Sequence, residues 1–354
     1  MNHTLQLLDD SVARVLKDTV SHRSTLEAEG TGLDQAAWRQ LNEIGLVGPD
    51  ASVMSMAELA IVIEAVAAAG ALVPYADSEA LGRWLAGGAD MDTGTEVLAI
   101  APITDAGARV RIDNGAAQLS IQGMSIPWAC RAEKVLFSFR SGNRCLVAAK
   151  DLRELELRRT PNLAGEPHGI VVSQTIEIDA KDVREVSAAR SPEAIIQRGA
   201  LCRSVQMLGA MTRVNELTLQ YSRDRKQFKR SLSDFQVIQS YLAAMAGELC
   251  ASAAIVQTAV EAATGDDAFE AIAAAKVRTG QAARQITSLG HQVHGAIGFT
   301  QEYPLNLWTR RLWAWREEYG NEAQWAADLG ARLVARGADA LWPHLTQQTT
   351  ASHD

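Results

Sequence analysis

The chain has 354 residues, 47% apolar and 21% charged, with a formal net charge of −8. At about 150 residues per domain this suggests two or three domains, and the apolar fraction excludes disorder as the dominant state. The acidic balance excludes a broad electrostatic footprint for nucleic acid.

Cysteines 130, 145, 202 and 250 form no CxxC pair and read as buried thiols of a reducing compartment. The first residues carry charges where a secretory leader needs an apolar run, and the apolar stretch from Leu59 to Val73 contains Glu64 and is too short to span a bilayer. A soluble, cytoplasmic protein is expected. Leu5, Leu8, Val12 and Leu16 recur at helical spacing, and Asp34 stands as an N-cap ahead of Ala36-Ala37-Trp38. Ser55 to Ala69 is apolar too densely for a surface helix. Pro74 breaks it, and a further helix is predicted over Ser78 to Leu85, closed by Gly87-Gly88.

Between about 96 and 180 the pattern becomes β-like: Val97–Ala101, Val110–Ile112, Leu119–Ile121, Val135–Phe137, Cys145–Ala148, Ile170–Val172 and Thr175–Ile178. Asp113-Asn114-Gly115 and Ser141-Gly142-Asn143 are hairpin signals. Short strands joined by polar turns predict an antiparallel barrel or sandwich. Helical periodicity then returns over roughly 193–223, 233–263, 267–295 and 322–336. Ser233 and Gln236 form a capping-box pattern, and Thr264-Gly265-Asp266-Asp267 a short turn. The expectation is a mainly helical α+β chain: an N-terminal helical domain (1–94), a β-barrel domain (95–188), a C-terminal four-helix bundle (189–345) and a tail (346–354).

Several motifs reduce to bland readings. His291 and His294 lie three apart, without a carboxylate or cysteine at ligand spacing, so no metal is assigned. Gly30-Thr31-Gly32 follows a helix and lacks the third glycine of a dinucleotide fingerprint. Trp308, Trp313 and Trp315 beside Arg310, Arg311 and Arg316 read as cation–π packing at a core edge. Glu302 and Tyr303 read as a turn.

Two segments carry chemistry. Arg223-Asp224-Arg225-Lys226-Gln227-Phe228 ends a long helix, where an arginine can bind phosphate and Phe228 can cover a ring. Gln292-Val293-His294-Gly295-Ala296-Ile297-Gly298-Phe299 follows another helix with small residues that let backbone approach a ligand. About 65 residues apart, the two together resemble the acyl-CoA dehydrogenase family of flavoenzymes. That family has Arg-x-x-Phe-Gly at the first place, and Gln-x-x-Gly-Gly-x-Gly-Phe followed by a proline and an arginine at the second. The resemblance implies a helical domain, a β-barrel and a four-helix bundle. It also implies that Arg225, Gln227, Phe228, Leu232, Gln292, Val293, Gly295 and Ala296 reach a neighbour's FAD. Lys229 replaces the family's glycine, and Ala296 its second glycine.

The departures form a pattern. The family's own-flavin cradle needs a Thr-Glu-Pro…Gly-Ser-Asp loop and a Trp-Ile-Thr strand. Here those places read Ala101-Pro102-Ile103-Thr104-Asp105-Ala106-Gly107 and Ser125-Ile126-Pro127-Trp128-Ala129. Pro127 has no N–H. One position for the catalytic glutamate aligns with Tyr319, the other with Gly199, and Glu318 is one residue off, a helical rotation of about 100°. The chain therefore resembles the smaller, non-catalytic subunits of heteromeric α2β2 acyl-CoA dehydrogenases of bacterial steroid and related degradation. The implied reaction is α,β-desaturation of an acyl-CoA thioester, with electrons passing to an electron-transfer flavoprotein and no catalytic residue on this chain. The alternative is a complete homotetramer with Glu318, or Glu317, as base.

Overall fold

The computed structural model describes residues 3–104, 108–265 and 268–347, and local sequence signals account for many of its element boundaries. The N-terminal helices are α1 (His3–Thr19), α2 (His22–Thr31), α3 (Gln35–Glu43), α4 (Met56–Ala69) and the short α5 (Trp84–Gly87). Asp34 caps α3 by accepting from the Ala37 N–H. Ser55 and Glu58 form a reciprocal capping box on α4, and Gly70 stops that helix at φ +78°. The helix expected over Ser78–Leu85 is instead a nine-residue π-helix, Tyr75–Arg83, running into α5. All nine of its residues are buried, including Asp77, Glu79 and Arg83. Arg83 pairs with Glu79, and Glu79 also accepts from the Gly48 N–H and the Ser78 hydroxyl. Internal pairing is what permits three charged side chains there.

The middle layer has two four-stranded sheets. One orders β1 (Leu98–Pro102), β4 (Lys134–Ser141), β5 (Arg144–Asp151) and β8 (Val183–Val186). The other orders β2 (Ala108–Asp113), β3 (Ala116–Ile126), β7 (Gly169–Ile178) and β6 (Leu157–Arg159). The Asn114-Gly115 hairpin forms with both residues at positive φ. Leu119, Ile121 and Ile176 from one sheet meet Val135, Phe137 and Leu146 from the other in a shared core. Three details correct the sequence reading. β1 pairs with β4 in parallel. The two segments expected at 170–172 and 175–178 are one strand, β7. β6 and β8 are additional strands, each too short to leave a periodic signal.

The C-terminal region holds α6 (Pro192–Asp224), α7 (Gln236–Ala262), α8 (Ala268–His294), α9 (Leu305–Glu317), α10 (Glu322–Ala335) and α11 (Ala338–Gln347). α6 is buried on all sides from Gly199 to Met211, as the central helix of a bundle must be. α9 corrects the sequence reading, in which 305–317 carries no helix. Ser233 does not cap α7: Phe235 holds that position, and Ser231 with Asp234 forms the capping box on the preceding 3-10 turn. Cys145 and Cys202 are buried, whereas Cys130 is half-buried and Cys250 exposed, so the expectation of four buried thiols is corrected. The expected turn at Asp266-Asp267 and the segment Asp105-Ala106-Gly107 lie outside the described residues.

α7 is long and apolar enough to cross a membrane by length and composition. It packs on the bundle through Met245, Ser252, Val256 and Ala259, and most of its remaining residues are exposed or half-buried. A large apolar face is thus left open along one side of the bundle.

Candidate functional site

The two motif segments meet at one end of the bundle because α6 and α8 run in the same direction and end side by side. The last turn of α6 closes with the Arg225 N–H on the Tyr221 carbonyl at 2.9 Å. The chain then makes a tight hairpin, β9 (Lys226–Gln227) against β10 (Arg230–Ser231). Phe228 and Lys229 form its turn at φ +51° and +67°. A left-handed turn explains why glycine suits position 229, and lysine there carries a steric cost. The Ser231 hydroxyl donates to the Ser222 and Arg223 carbonyls, and the Leu232 N–H to the Arg225 carbonyl, which pins the hairpin to the helix end.

Arg225 and Gln227 are exposed, Phe228 is 87% exposed, and Leu232 is half-buried. On the other segment Gln292, Gly295 and Ala296 are exposed and Val293 is buried. Val293 therefore anchors this segment in the core. Gly295 takes φ +66°, while Ala296 is not among the positive-φ residues, so its methyl group is compatible with the backbone there. A cleft of about 900 Å³ opens beside Gln292 and Gly295, walled by His291, Phe299, Arg310 and Trp313. The structure thus places all eight predicted cofactor-binding residues at the same end of the bundle, most of them in solvent.

A second cavity, of about 670 Å³, lies between the sheets and the bundle. Ile100, Pro102, Met124 and Pro127 line it from the sheets, and Trp313, Glu317, Glu318 and Tyr319 from the helical side. Its floor is a buried polar network that joins all three layers. Arg203 donates from Nε to Glu318 at 2.7 Å, from one terminal nitrogen to both Asp77 oxygens at 2.9 Å, and from the other to Gln206 at 2.6 Å. Asn162 Nδ2 donates to Glu318 at 3.0 Å and to Glu166 at 2.6 Å. His168 Nε2 lies 3.2 Å from Glu318, and Trp315 donates to Glu166 at 3.0 Å.

Burial by itself would raise the Glu318 pKa, but Arg203 first, then His168 and Asn162, outweigh it and hold the carboxyl well below its usual range. Glu166 goes the other way, raised by burial and then by repulsion from Glu318. Burial lowers His168, and Glu318 more than reverses it, so the imidazole is held above its ordinary value. Glu318 is therefore a committed anion, with both oxygens engaged.

Tyr319, at φ +53°, turns its ring onto Gly199, and its hydroxyl donates to Asp77 at 2.9 Å. A Cβ on Gly199 would stand 2.4 Å from that ring. The two positions that align with the family's glutamates thus pack directly against each other, one supplying the ring and the other the space for it. Pro127 lines the cavity without an N–H donor, beside Trp128 at φ +61°.

Sequence reasoning does not find Asp77, Asn162, Glu166, His168 or Arg203. The available signal is a lone Arg203 within the apolar run Gly199–Met211, since a charge at such a place must be paired. Glu166, His168 and Glu318 have ligating atoms within 4.8 Å of one another. Arg203, Asn162 and Trp315 already engage both carboxylates, so the trio reads as a hydrogen-bonded core. His291 bonds to Thr309 and stacks on Phe299, and His294 bonds to the Gly290 carbonyl, which accounts for both outside metal binding. In the tryptophan cluster Arg316 lies 4.7 Å from the Trp313 ring, the expected cation–π packing, whereas Arg311 is fully buried.

Residues 190–333 match the family described as acyl-CoA dehydrogenase, C-terminal domain. Residues 190–333 are thus of the acyl-CoA dehydrogenase C-terminal type, and the chain as a whole has the acyl-CoA dehydrogenase fold. Among curated relatives, 3-sulfinopropanoyl-CoA desulfinase of Paraburkholderia xenovorans is 34% identical over 103 residues, 29% of this chain and 26% of that protein. Acyl-CoA dehydrogenase IpdE2 of Mycolicibacterium smegmatis is 28% identical over 119 residues, 34% of this chain and 37% of that protein. The chain thus matches about a quarter of the first relative's length and little more than a third of the second's. In solved structures, the ChsE4–ChsE5 complex from Mycobacterium tuberculosis is similar at TM-score 0.85 and 16% identity, over 94% of this chain and 98% of that one. Butyryl-CoA dehydrogenase from Megasphaera elsdenii is similar at TM-score 0.79 and 16% identity, over 94% and 99%. These likenesses establish the fold.

Proposed function

We propose that this chain is the flavin-completing, non-catalytic subunit of a heteromeric FAD-dependent acyl-CoA dehydrogenase, and that a second family member supplies the flavin cradle and the base. One observation carries the reading: the Tyr319 ring lies on Gly199, so neither position presents a carboxylate, and Glu318 is held as an anion by Arg203. A general base must reach its proton with a free lone pair. Its pKa must also lie near the operating pH, and Glu318 is shifted away from that range. Glu317 borders the cavity but is exposed to solvent, and it accepts from the Asn321 side-chain amide at 3.3 Å.

The residues fit one half of FAD and not the other. Arg225, Gln227 and Gln292 are exposed donors, and Gly295 and Ala296 offer open backbone, which suits a diphosphate and its sugar. On the ring side, Pro127 removes a donor, and the flanking Ser125-Ile126-Pro127-Trp128-Ala129 has no hydroxyl at the family's threonine position. When bound in the assembly, FAD would accept the hydride of the desaturation. This chain would neutralise diphosphate charge with Arg225, orient it with the Gln292 amide, and shield it from water with Phe228. The open apolar face of α7 supports assembly with further family subunits, in an α2β2 arrangement. The wider setting proposed is cytoplasmic, with an acyl-CoA substrate and an electron-transfer flavoprotein as acceptor.

The test is Arg225→Ala in the purified assembly, with loss of most bound flavin and of activity as the expected result. Unchanged flavin retention would refute the trans site. The rival homotetramer predicts about one FAD per chain for this protein purified alone, and a large rate loss in Glu318→Gln with flavin retained. The subunit reading predicts a ratio near zero for the chain alone.

A further inference from the structure

Arg225 and Gln292 lie on separate helices, and an aromatic cluster behind them joins the two. Tyr221 occupies the last turn of α6, and its carbonyl receives the Arg225 N–H. His294 is the last residue of α8, two after Gln292 and one before the left-handed Gly295. The two rings stack at 4.4 Å with an interplanar angle of 24°. The Tyr221 hydroxyl lies 3.4 Å from the His294 carbonyl and donates to it. His294 Nδ1 lies 2.7 Å from the Gly290 carbonyl, which can only accept, so Nδ1 carries the proton. Tyr303 closes the outer side, its ring 4.9 Å from His294 and edge-on to Tyr221 at 5.6 Å, with its hydroxyl donating to the Leu217 carbonyl at 3.4 Å. Tyr303 is therefore more than the turn residue expected from sequence.

We infer that Tyr221, His294 and Tyr303 are positioning residues that hold the Arg225 and Gln292 segments at one fixed spacing for the FAD diphosphate. This rests on the reading of the chain as a flavin-completing subunit. The physical reason is that both ligand-facing segments begin where a helix stops. Helix ends lose backbone hydrogen bonds and fray, whereas a site that grips two points of one ligand needs its donors held to about half an ångström. A flat stack between the two last turns fixes both the separation and the relative rotation of those turns. Gly290, one turn before His294, leaves room for α8 to approach: a Cβ there would stand 3.2 Å from Val214 and 3.5 Å from Thr218 of α6. The cluster itself leaves the ligand-facing groups exposed, since it lies beneath Arg225, Gln292 and Gly295.

The experiment is FAD titration of the flavin-stripped native assembly, isolated through a tag on this chain, with FAD itself as the probe and flavin fluorescence as the readout. Tyr221→Leu and His294→Leu keep volume but remove the stack, and each is expected to weaken FAD binding by about tenfold. Tyr221→Phe and His294→Phe keep a ring at each place and are expected to stay within about twofold of the parent. Leucine variants that bind FAD as the parent does, or phenylalanine variants that bind as weakly as the leucine ones, overturn the inference. Should a leucine variant fail to assemble, Tyr303→Leu, at the outer side of the stack, is read in the same titration against the same two outcomes. Arg225→Ala separates the two layers of argument. If it keeps full affinity, the trans-site reading fails; if it loses FAD while the stack variants do not, only the positioning role fails.

Discussion

Replacing Arg203 with methionine tests whether the cavity floor is held by charge. The arginine is 0% exposed and makes four side-chain hydrogen bonds: one to Glu318, one to Gln206 and two to Asp77. Methionine preserves much of the volume and leaves two carboxylates buried without their cation. Breaking a buried pair from one side typically costs about 3–5 kcal/mol, and the wild-type network spans three layers, so we expect that full range. The assay is urea unfolding followed by tryptophan fluorescence, for which the buried Trp315 and Trp308 are reporters. The deficit is expected to depend on pH. Glu318 has a folded-state pKa below its unfolded value of 4.5, so its contribution is present above that pH and is lost as pH falls through the folded value. The variant lacks that contribution, so its gap from the parent is widest near neutrality and narrows in acid. Adding Asp77→Leu and Glu318→Gln to Arg203→Met removes the uncompensated charges and should restore most of the stability. A single-variant loss below about 1 kcal/mol at pH 7 would show that the network is not the charge-paired core described above.

Glu64 lines a groove of about 770 Å³ between α1, α4 and α6, and its pKa is raised to about 7 by burial and then by Asp9. A raised carboxyl favours the fold below its unfolded value of 4.5 and loses that contribution as pH rises to about 7, so Glu64→Gln should add about 3 kcal/mol at pH 8 and almost nothing at pH 4. Equal effects at both pH values in thermal melts would refute this. Lys229→Gly should stabilise the hairpin turn by about 1 kcal/mol, because glycine adopts φ +67° without a Cβ clash. Chemical denaturation reads that gain, and a loss of stability would mean that the lysine side chain contributes more than the backbone cost.

Elements set by neighbours in the chain are legible in the sequence. Asn114-Gly115 makes its hairpin and Asp34 its cap because each signal acts over two to four residues. The two motif segments, at Arg225 and at Gln292, are legible for the same reason, each being continuous and lying at a helix end. Failures follow the opposite logic. Ser233 has the spacing of a cap, yet Ser231 and Asp234 take that role, since the hairpin sets where the turn begins. The π-helix Tyr75–Arg83 escapes because α periodicity does not report a wider ladder, and its buried Asp77, Glu79 and Arg83 hide the pattern further.

Sequence alone thus determined the helix–strand–helix order, the Asp34 cap, the Asn114-Gly115 turn and the resemblance to the acyl-CoA dehydrogenase family. It also showed that carboxylates are missing at positions 199 and 319. Tertiary structure decided what replaces them. Asp77 and Arg203 are 126 residues apart, and Arg203 and Glu318 are 115 apart, so no local pattern could join them. Their convergence at the cavity floor makes each charge require the others, and that packing engages both Glu318 oxygens with Arg203, Asn162 and His168.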